Sequence, residues 1–504
     1  MDLDALNDVI KRATGLELLE ITGRSILTTL PKSVGQLSSL RILHLGTTYG
    51  GSCSLSTLPE SIGQLSKLEE LEVVCSSLTK IPASIGQLSS LRILRLGTTF
   101  GSSCSLSTLP ESIGQLSKLE VLEVDCSSLT KLPASLANCS SLQSLKLGGD
   151  CSNLTNLSKA LVHLTSLQEL RLGKVNTFAP VVKSLDQLSG LTKLSLGRCN
   201  QTCLPESVLN LSSLKELEIS DWSSLTSLPE SLGNLNSLQK LDLLGCDSLM
   251  SLPDSLGQLS SLQRLRLLDC SSLVRVPESL GQLSSLQELI LFGCVSLRSL
   301  PYSLGQLSSL QTLDLCHCNS LVSLPESSSQ LSSLQLLNLM HCISLMGLPK
   351  FLGQLSSLQR LDLEHCSSLV SLPKSLGQLS SLQKLDLFDC RSLVTLPESL
   401  GQLSSLQELQ LSCCRNLESL PESLGQLSSL QKLDLCYCSN LKSLPESSGQ
   451  LSKLSMLETR GCSNLPGVSE PALSRAERLC FRFCHPERAQ GFFDSIHNLS
   501  YEWH

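Results

Sequence analysis

Apolar residues along this chain recur in a fixed rhythm. The stretch Leu238–Pro253 reads LQKLDLLGCDSLMSLP, continues as DSLGQLSS, and begins again at Leu262. Leu-Pro pairs start at Leu204, Leu228, Leu252, Leu300, Leu324, Leu348, Leu372, Leu396, Leu420 and Leu444, with Val276-Pro277 in the gap, so the period holds at 24 residues. Leu241 and Leu243 are two apart and share one side of a predicted strand, while Lys240, Asp242 and Leu244 face the other side. Leu256 and Leu259 are three apart, which suits a single helical turn. Pro253 suits the start of that turn, because its φ is preset and its missing N–H would have no partner there. Gly257 removes bulk where adjacent coils must approach.

One such coil cannot bury its own leucines, whereas stacked coils bury each other's. A period in the twenties with L-x-x-L-x-L spacing predicts an α/β solenoid. The expected form is a leucine-rich-repeat horseshoe with one long parallel sheet on its concave face. Strand motifs counted from Leu16 to Leu454 give 19 coils. Residues 1–15 read as a helical cap, with Leu3, Leu6, Val9 and Ile10 on one face. The solenoid is expected over 16–465, irregular around 132–205, where Leu157-Ser158 replaces Leu-Pro and Pro180 strains the pattern. Residues 466–504 lose the period and gather Phe481, Phe483, Phe492, Phe493, Tyr501 and Trp503, which reads as a C-terminal cap or tail. A further duplication copies the stretch from Leu40 at Leu91 and places Tyr49 and Phe100 on equivalent inserted Gly/Ser/Thr loops.

Charge and composition narrow the function. The net charge of −7 over 504 residues does not favour nucleic acid. No apolar run approaches a membrane span. The start, MDLDALNDVIKRA, has no apolar core of a signal peptide, so a cytoplasmic or nucleocytoplasmic location is expected. Phosphate-binding, metalloprotease, nucleophile-elbow and kinase motifs are not found, so the reading is a non-enzyme without a cofactor, monomeric, that binds protein.

Of the 23 cysteines, eleven share one repeat position, from Cys199 and Cys246 to Cys462. Parallel side chains in such a ladder point alike, so free thiols are expected there rather than disulfides, as in a reducing compartment. His317, His341 and His365 also share one position in three successive coils and are weak candidates for a metal or a pH response. Cys480, Cys484, His485 and His497 in the tail match zinc spacing poorly.

The outward strand positions vary while the flanking consensus does not, as a recognition surface would. They supply the candidate partner site: Arg264, Arg266, Ile290, Phe292, Asp314, Arg360, Asp362, Asp386 and Phe388. Apolar anchors among mixed charges favour a protein ligand. Tyr49 and Phe100 form the alternative loop site.

The coil L-x-x-L-x-L-x-x-C-x-S-L-x-S-L-P-E-S-L-G-Q-L, with its telling run at Cys366–Lys374, resembles the leucine-rich repeats of plant intracellular immune receptors of the nucleotide-binding-site type. The resemblance covers roughly residues 14–465. It implies a recognition surface in defence signalling, on a stand-alone or truncated receptor-like chain. No part of this sequence matches the nucleotide-binding module of those receptors, so nucleotide switching is not implied. Plant Ras-group repeat proteins share L-P-x-x-[IL]-G-x-L, which leaves a scaffold in growth or Ras-type signalling as the alternative.

Overall fold

The computed structural model describes residues 3–13, 15–22, 28–46, 53–97, 104–176, 181–326 and 331–465. Nineteen strands, from Leu18–Ile21 to Met456–Glu458, join in chain order as one parallel sheet. The expected solenoid and its 19 coils are therefore what the chain forms. The register is that of the sequence period: Lys240, Leu241, Asp242 and Leu243 lie beside Arg264, Leu265, Arg266 and Leu267. The sheet continues through Ser144–Asp150, Glu169–Lys174, Lys193–Leu196 and Glu216–Ser220, where the sequence is irregular, with one register shift between Leu147 and Asp150.

The inward leucines form one continuous core. Leu241, Leu243, Leu249, Leu256, Leu259 and Leu262 are all fully buried, and so are their counterparts in the neighbouring coils. Most of the described coils return through a five-residue 3-10 turn such as Asp254–Gln258, preceded by Pro253 in extended conformation (φ −72°, ψ 154°). Short α-helical turns, Leu157–Leu161, Val182–Leu185 and Glu206–Leu209, replace it in the irregular stretch. The close approach at Gly257 is real: a Cβ there would lie 2.6 Å from the Ser279 carbonyl oxygen.

The glutamate of the Leu-Pro-Glu-Ser run has a structural role. Glu278 accepts hydrogen bonds from the Tyr302 and Ser303 amides at 3.1 and 3.0 Å, and Glu398 accepts from those of Glu422 and Ser423. Each carboxylate thus satisfies the first open N–H groups of the next coil's turn, as an N-terminal cap does within one helix.

Strands shorten along the array. Lys240–Leu244 and Arg264–Leu268 have five residues, but from Glu288–Ile290 onward each has three. Asx turns end several of them. Asp314, Asn338, Asp386 and Asp434 each accept from the amide two residues on, in Cys316, Met340, Phe388 and Cys436. The chain then passes through left-handed backbone at one repeat position, with φ near +60° at Gly245, Asp269, His317, His341, His365, Asp389 and Tyr437.

At the N-terminus the helix Leu3–Arg12 buries Leu6 and Ile10, and Asn7 accepts from the Ser33 hydroxyl at 2.6 Å. Val9, expected on the inward face, is exposed: the helix sits on the first turn with a narrower stripe than four residues. Among the described residues no helix is long and apolar enough to cross a membrane.

The Gly257 contact yields a paired test. Gly257→Ala pushes a methyl into backbone of the next coil and should destabilise by about 1–3 kcal/mol. Gly347→Ala meets nothing within 4 Å and should change stability by less than ~0.5 kcal/mol. Urea midpoints of the two variants against the parent protein decide it, and equal midpoints would refute the packing role of Gly257.

Candidate functional site on the concave face

The sheet positions the candidate residues in columns, one residue per coil. In the first column, Arg264 meets Glu288 through Nε at 2.5 Å, and Lys432 meets Glu408 at 3.0 Å. These rows are half-buried ion pairs between coils, not isolated charges. In the second column, Arg266 is only 7% exposed and bonds Glu288 at 3.0 Å, so one glutamate carries two arginines.

The carboxylates of the second column depart from the sequence expectation. Asp314, Asp362 and Asp386 point outward from the sheet, yet they are buried. Asp314 and Asp386 hold the turns after their own strands, and Asp362 accepts from Arg360 Nε at 2.6 Å. Curvature is the cause, since side chains on the inside of an arc converge and cover one another. Burial raises the Asp314 carboxyl to about 6, against the pull of the Cys316 amide and the Asn338 side chain.

The apolar members come together. Leu268, Ile290, Phe292 and Cys316 form a small cluster separate from the main core, with Leu244 and Met340 packed against it. Ile290 and Phe292 are each 7% exposed, so the patch is flush rather than protruding. From Phe292 a row of rings continues along the array. Phe292 meets His317 edge-on at 5.5 Å, His317 stacks on His341 and His341 on His365 at 4.3 Å each, and His365 meets Phe388 edge-on at 5.1 Å. The structure therefore joins Ile290, Phe292 and Phe388 into one strip and places Arg264 and Arg266 at one end. Arg360 lies beside the strip, one coil from Phe388.

The imidazoles are stacked face to face rather than converging, so their nitrogens do not share a centre as metal ligands must. The histidine column is thus an aromatic link between Phe292 and Phe388. Side-chain groupings with ligand-like spacing fall elsewhere, at His44, Glu70 and Glu72 and at Asp434, Cys436 and Glu458. His365 Nδ1 lies 2.9 Å from Asp389, which also holds Arg391. Burial, and after it the charges of His317 and His365, lowers the His341 pKa to about 4. Histidine is tolerated here because it enters left-handed backbone more readily than most residues. The signal was available in the sequence: Gly245, Asp269 and Gly293 alternate at the same repeat position, and glycine exchanging with aspartate marks positive φ.

The thiol ladder forms as expected in the regular array. From Cys270 to Cys462 each sulfur reaches a carbonyl of the preceding coil: Cys318 to Leu291, Cys366 to Leu339 and Cys414 to Leu387, all at 3.1 Å. All eleven ladder cysteines are free and buried. Trp222 takes the same position one coil earlier and donates from Nε1 to the Gly197 carbonyl at 2.7 Å. The free thiols expected along the ladder do not extend to the duplicated coils. Cys53 bonds Cys75 and Cys104 bonds Cys126, with Cα atoms 4.8 and 4.7 Å apart. Cys53 and Cys104 follow the inserted loops, off the ladder column, and face the next coil instead of pointing alongside it. Tyr49 and Phe100 lie outside the described residues, as do Cys480, Cys484, His485, His497 and the tail aromatics.

Comparison with known proteins agrees with this architecture. The family model described as a leucine-rich repeat region matches residues 83–222, 194–299, 291–418 and 335–461. No curated protein matches the chain. A leucine-rich-repeat protein of Leptospira interrogans is 26% identical with a TM-score of 0.52, over 90% of this chain and 94% of that one. A TDR receptor is 23% identical with a TM-score of 0.51, over 91% and 86% of the two chains, a likeness of fold.

The histidine column predicts a pH response. In the unfolded chain His341 has its ordinary pKa near 6.5, whereas in the fold it is about 4. The unfolded state therefore binds more protons between those values, and stability present above about 6.5 is lost as pH falls toward 4. Because the ring is half-exposed, solvent screening limits the loss to the order of 1 kcal/mol. His341→Asn, which also accepts left-handed backbone, should lose less stability than the parent protein between pH 7 and pH 4.5. Identical pH profiles in urea titrations would remove the column from the account.

The ladder predicts thiol reactivity. Burial raises the Cys294, Cys366 and Cys414 thiols to about 12, so thiolate is scarce at neutral pH. Maleimide labelling with peptide mapping should modify exposed Cys203 first and half-buried Cys413 next. The ladder cysteines should react only on unfolding, and rapid native labelling of Cys318 or Cys366 would contradict the packing described.

Proposed function

The chain belongs to the leucine-rich-repeat family, and from that premise we propose that it is a non-catalytic module that recognises a protein partner on its concave face, in intracellular plant defence signalling. The observation that carries the reading is the continuous strip from Ile290 and Phe292 through the three histidines to Phe388. It lies on a rigid sheet, so little ordering entropy opposes docking. Aromatic side chains of this kind act as binding anchors, and the Arg264–Glu288 and Arg360–Asp362 pairs at its margins fix orientation more than they add affinity. The strip is flush, so the partner supplies the protruding groups. The defence role and the cytoplasmic or nucleocytoplasmic location rest on the resemblance of the Cys366–Lys374 run to plant immune-receptor repeats.

Proteins captured from plant cell extract by the intact chain supply the test. Phe292→Ala and Phe388→Ala should each weaken a true partner by about 1–3 kcal/mol, with circular dichroism unchanged. Binding that survives both substitutions but fails with Tyr49→Ala and Phe100→Ala would move the site to the inserted loops.

A further inference from the structure

At the N-terminal end of the sheet the outward columns hold a cluster that the recognition strip does not use. Strands Leu18–Ile21, Ile42–Gly46 and Glu70–Val74 are neighbours. Their register sets Glu20 beside His44 and His44 beside Glu72, with Glu70 two residues before Glu72 on the same face. His44, Glu70 and Glu72 are half-buried, and one ligand atom from each lies within 4.8 Å of the others. His44 Nδ1 is 3.2 Å from Glu20 Oε1, so that carboxylate holds the ring proton. Nε2 then carries the lone pair. It is buried, makes no hydrogen bond, and faces Glu70 Oε1 at 3.4 Å. A lone pair aimed at a carboxylate is repelled unless a cation lies between them. The charge balance points the same way. Elsewhere on this face one glutamate serves two cations, as Glu216 does for Lys193 and Lys240, and Glu408 for Lys384 and Lys432. Here the ratio is reversed, because one arginine, Arg95, meets Glu70, Glu72 and Glu123.

We propose that His44, Glu70 and Glu72 bind a divalent transition-metal ion of the zinc class, through His44 Nε2 and one oxygen of each glutamate. Imidazole and carboxylate together are donors that zinc takes, whereas a calcium site is built from oxygens. Bonds of about 2.1 Å in a tetrahedron put ligand atoms about 3.4 Å apart, and Nε2 already stands 3.4 Å from Glu70. Glu20 is the outer carboxylate that orients a metal-bound imidazole and raises its basicity. With three protein ligands in a half-buried place, water completes the coordination. Glu20, Glu70 and Glu72 against Arg95 leave an excess of two negative charges, which a dication neutralises. Arg95 keeps Glu123 as a partner when Glu70 and Glu72 turn to the metal. The ion fastens the second strand to the third and, through Glu20, steadies the first. An inserted loop separates His44 from Glu72 in the chain, so the 24-residue period does not bring them together on paper. This site lies at the opposite end of the sheet from Phe388, and its failure or that of the recognition strip leaves the other standing.

The test uses the intact chain, stripped with a chelator, its accessible thiols first capped with iodoacetamide so that cysteine does not compete. Calorimetric titration with zinc chloride should show a single equivalent bound, at least about tenfold tighter than calcium. His44→Gln and Glu72→Gln, each with an unchanged circular dichroism spectrum, should abolish that equivalent. Glu20→Ala removes an exposed side chain that touches no metal and should weaken zinc by about 10- to 100-fold. Arg95→Gln removes the competing cation and should strengthen zinc binding, whereas a purely structural ion pair would leave it unchanged. Zinc should also raise the urea midpoint of the parent chain and leave that of His44→Gln where it was. Absence of zinc binding overturns the proposal and assigns His44 to an imidazolium shared by Glu20 and Glu70. A His44→Gln variant that binds zinc as the parent does overturns it too, since the ion then sits on other residues. Equal binding of calcium and zinc reduces the cluster to an acidic patch and likewise overturns it.

Discussion

Every coil of this protein buries its leucines against the coils before and after it, and no coil can do so alone. That dependence sets the rest of the architecture. Leu241, Leu243, Leu256 and Leu259 can be fully buried only where the backbones of successive coils lie in register. Register in turn lets the backbone groups between coils find partners. The period supplies one at each corner: strand N–H to strand carbonyl, the Cys318 thiol to the Leu291 carbonyl, and the Glu278 carboxylate to the Tyr302 and Ser303 amides. Gly257 leaves room for the approach. These contacts all join residues about one period apart, so a copied coil brings its own fasteners with it.

Most of the fold was legible in the sequence because the period reports contacts between coils directly. The spacing of Leu241 and Leu243 gave strand and sheet face, the strand motifs from Leu16 to Leu454 gave the coil count, and the cysteine column gave the ladder. What the period concealed was the meaning of residues that recur for local reasons. The repeated aspartate at Asp314 and Asp386 reads as a variable outward charge, but it ends a strand through an Asx turn. The glutamate that follows many of the Leu-Pro pairs carries no spacing signal of its own, yet Glu278 and Glu398 cap the following turn. Cys53 and Cys104 read as members of a thiol-rich composition, because spacing alone cannot tell a side chain pointing along a column from one facing the next coil.

The outward strand positions were legible in their identity and not in their exposure. Alternation places Arg266, Ile290 and Asp362 on the outward face, and they are there. On a flat sheet such residues would meet water. On the inner side of an arc their ends converge, so Ile290 and Phe292 seal each other and Arg266 must share Glu288 with Arg264. An unpaired charge at these positions would be costly, which is why nearly every cation of the concave columns has an acid one coil away or in its own strand.

The same curvature explains why the concave face differs in character from the flank that descends before each Leu-Pro pair. On the inner side convergence makes an apolar patch flush and turns the imidazoles of His317, His341 and His365 into a stack. On the descending flank side chains do not converge, and a column of the same apolar residue types stays open, as Met346 and Val370 do. A flush patch selects a partner by the shape that settles onto it, because few of its own atoms reach out. Sequence variation at the outward positions therefore changes this surface without touching the leucines that hold the coils together.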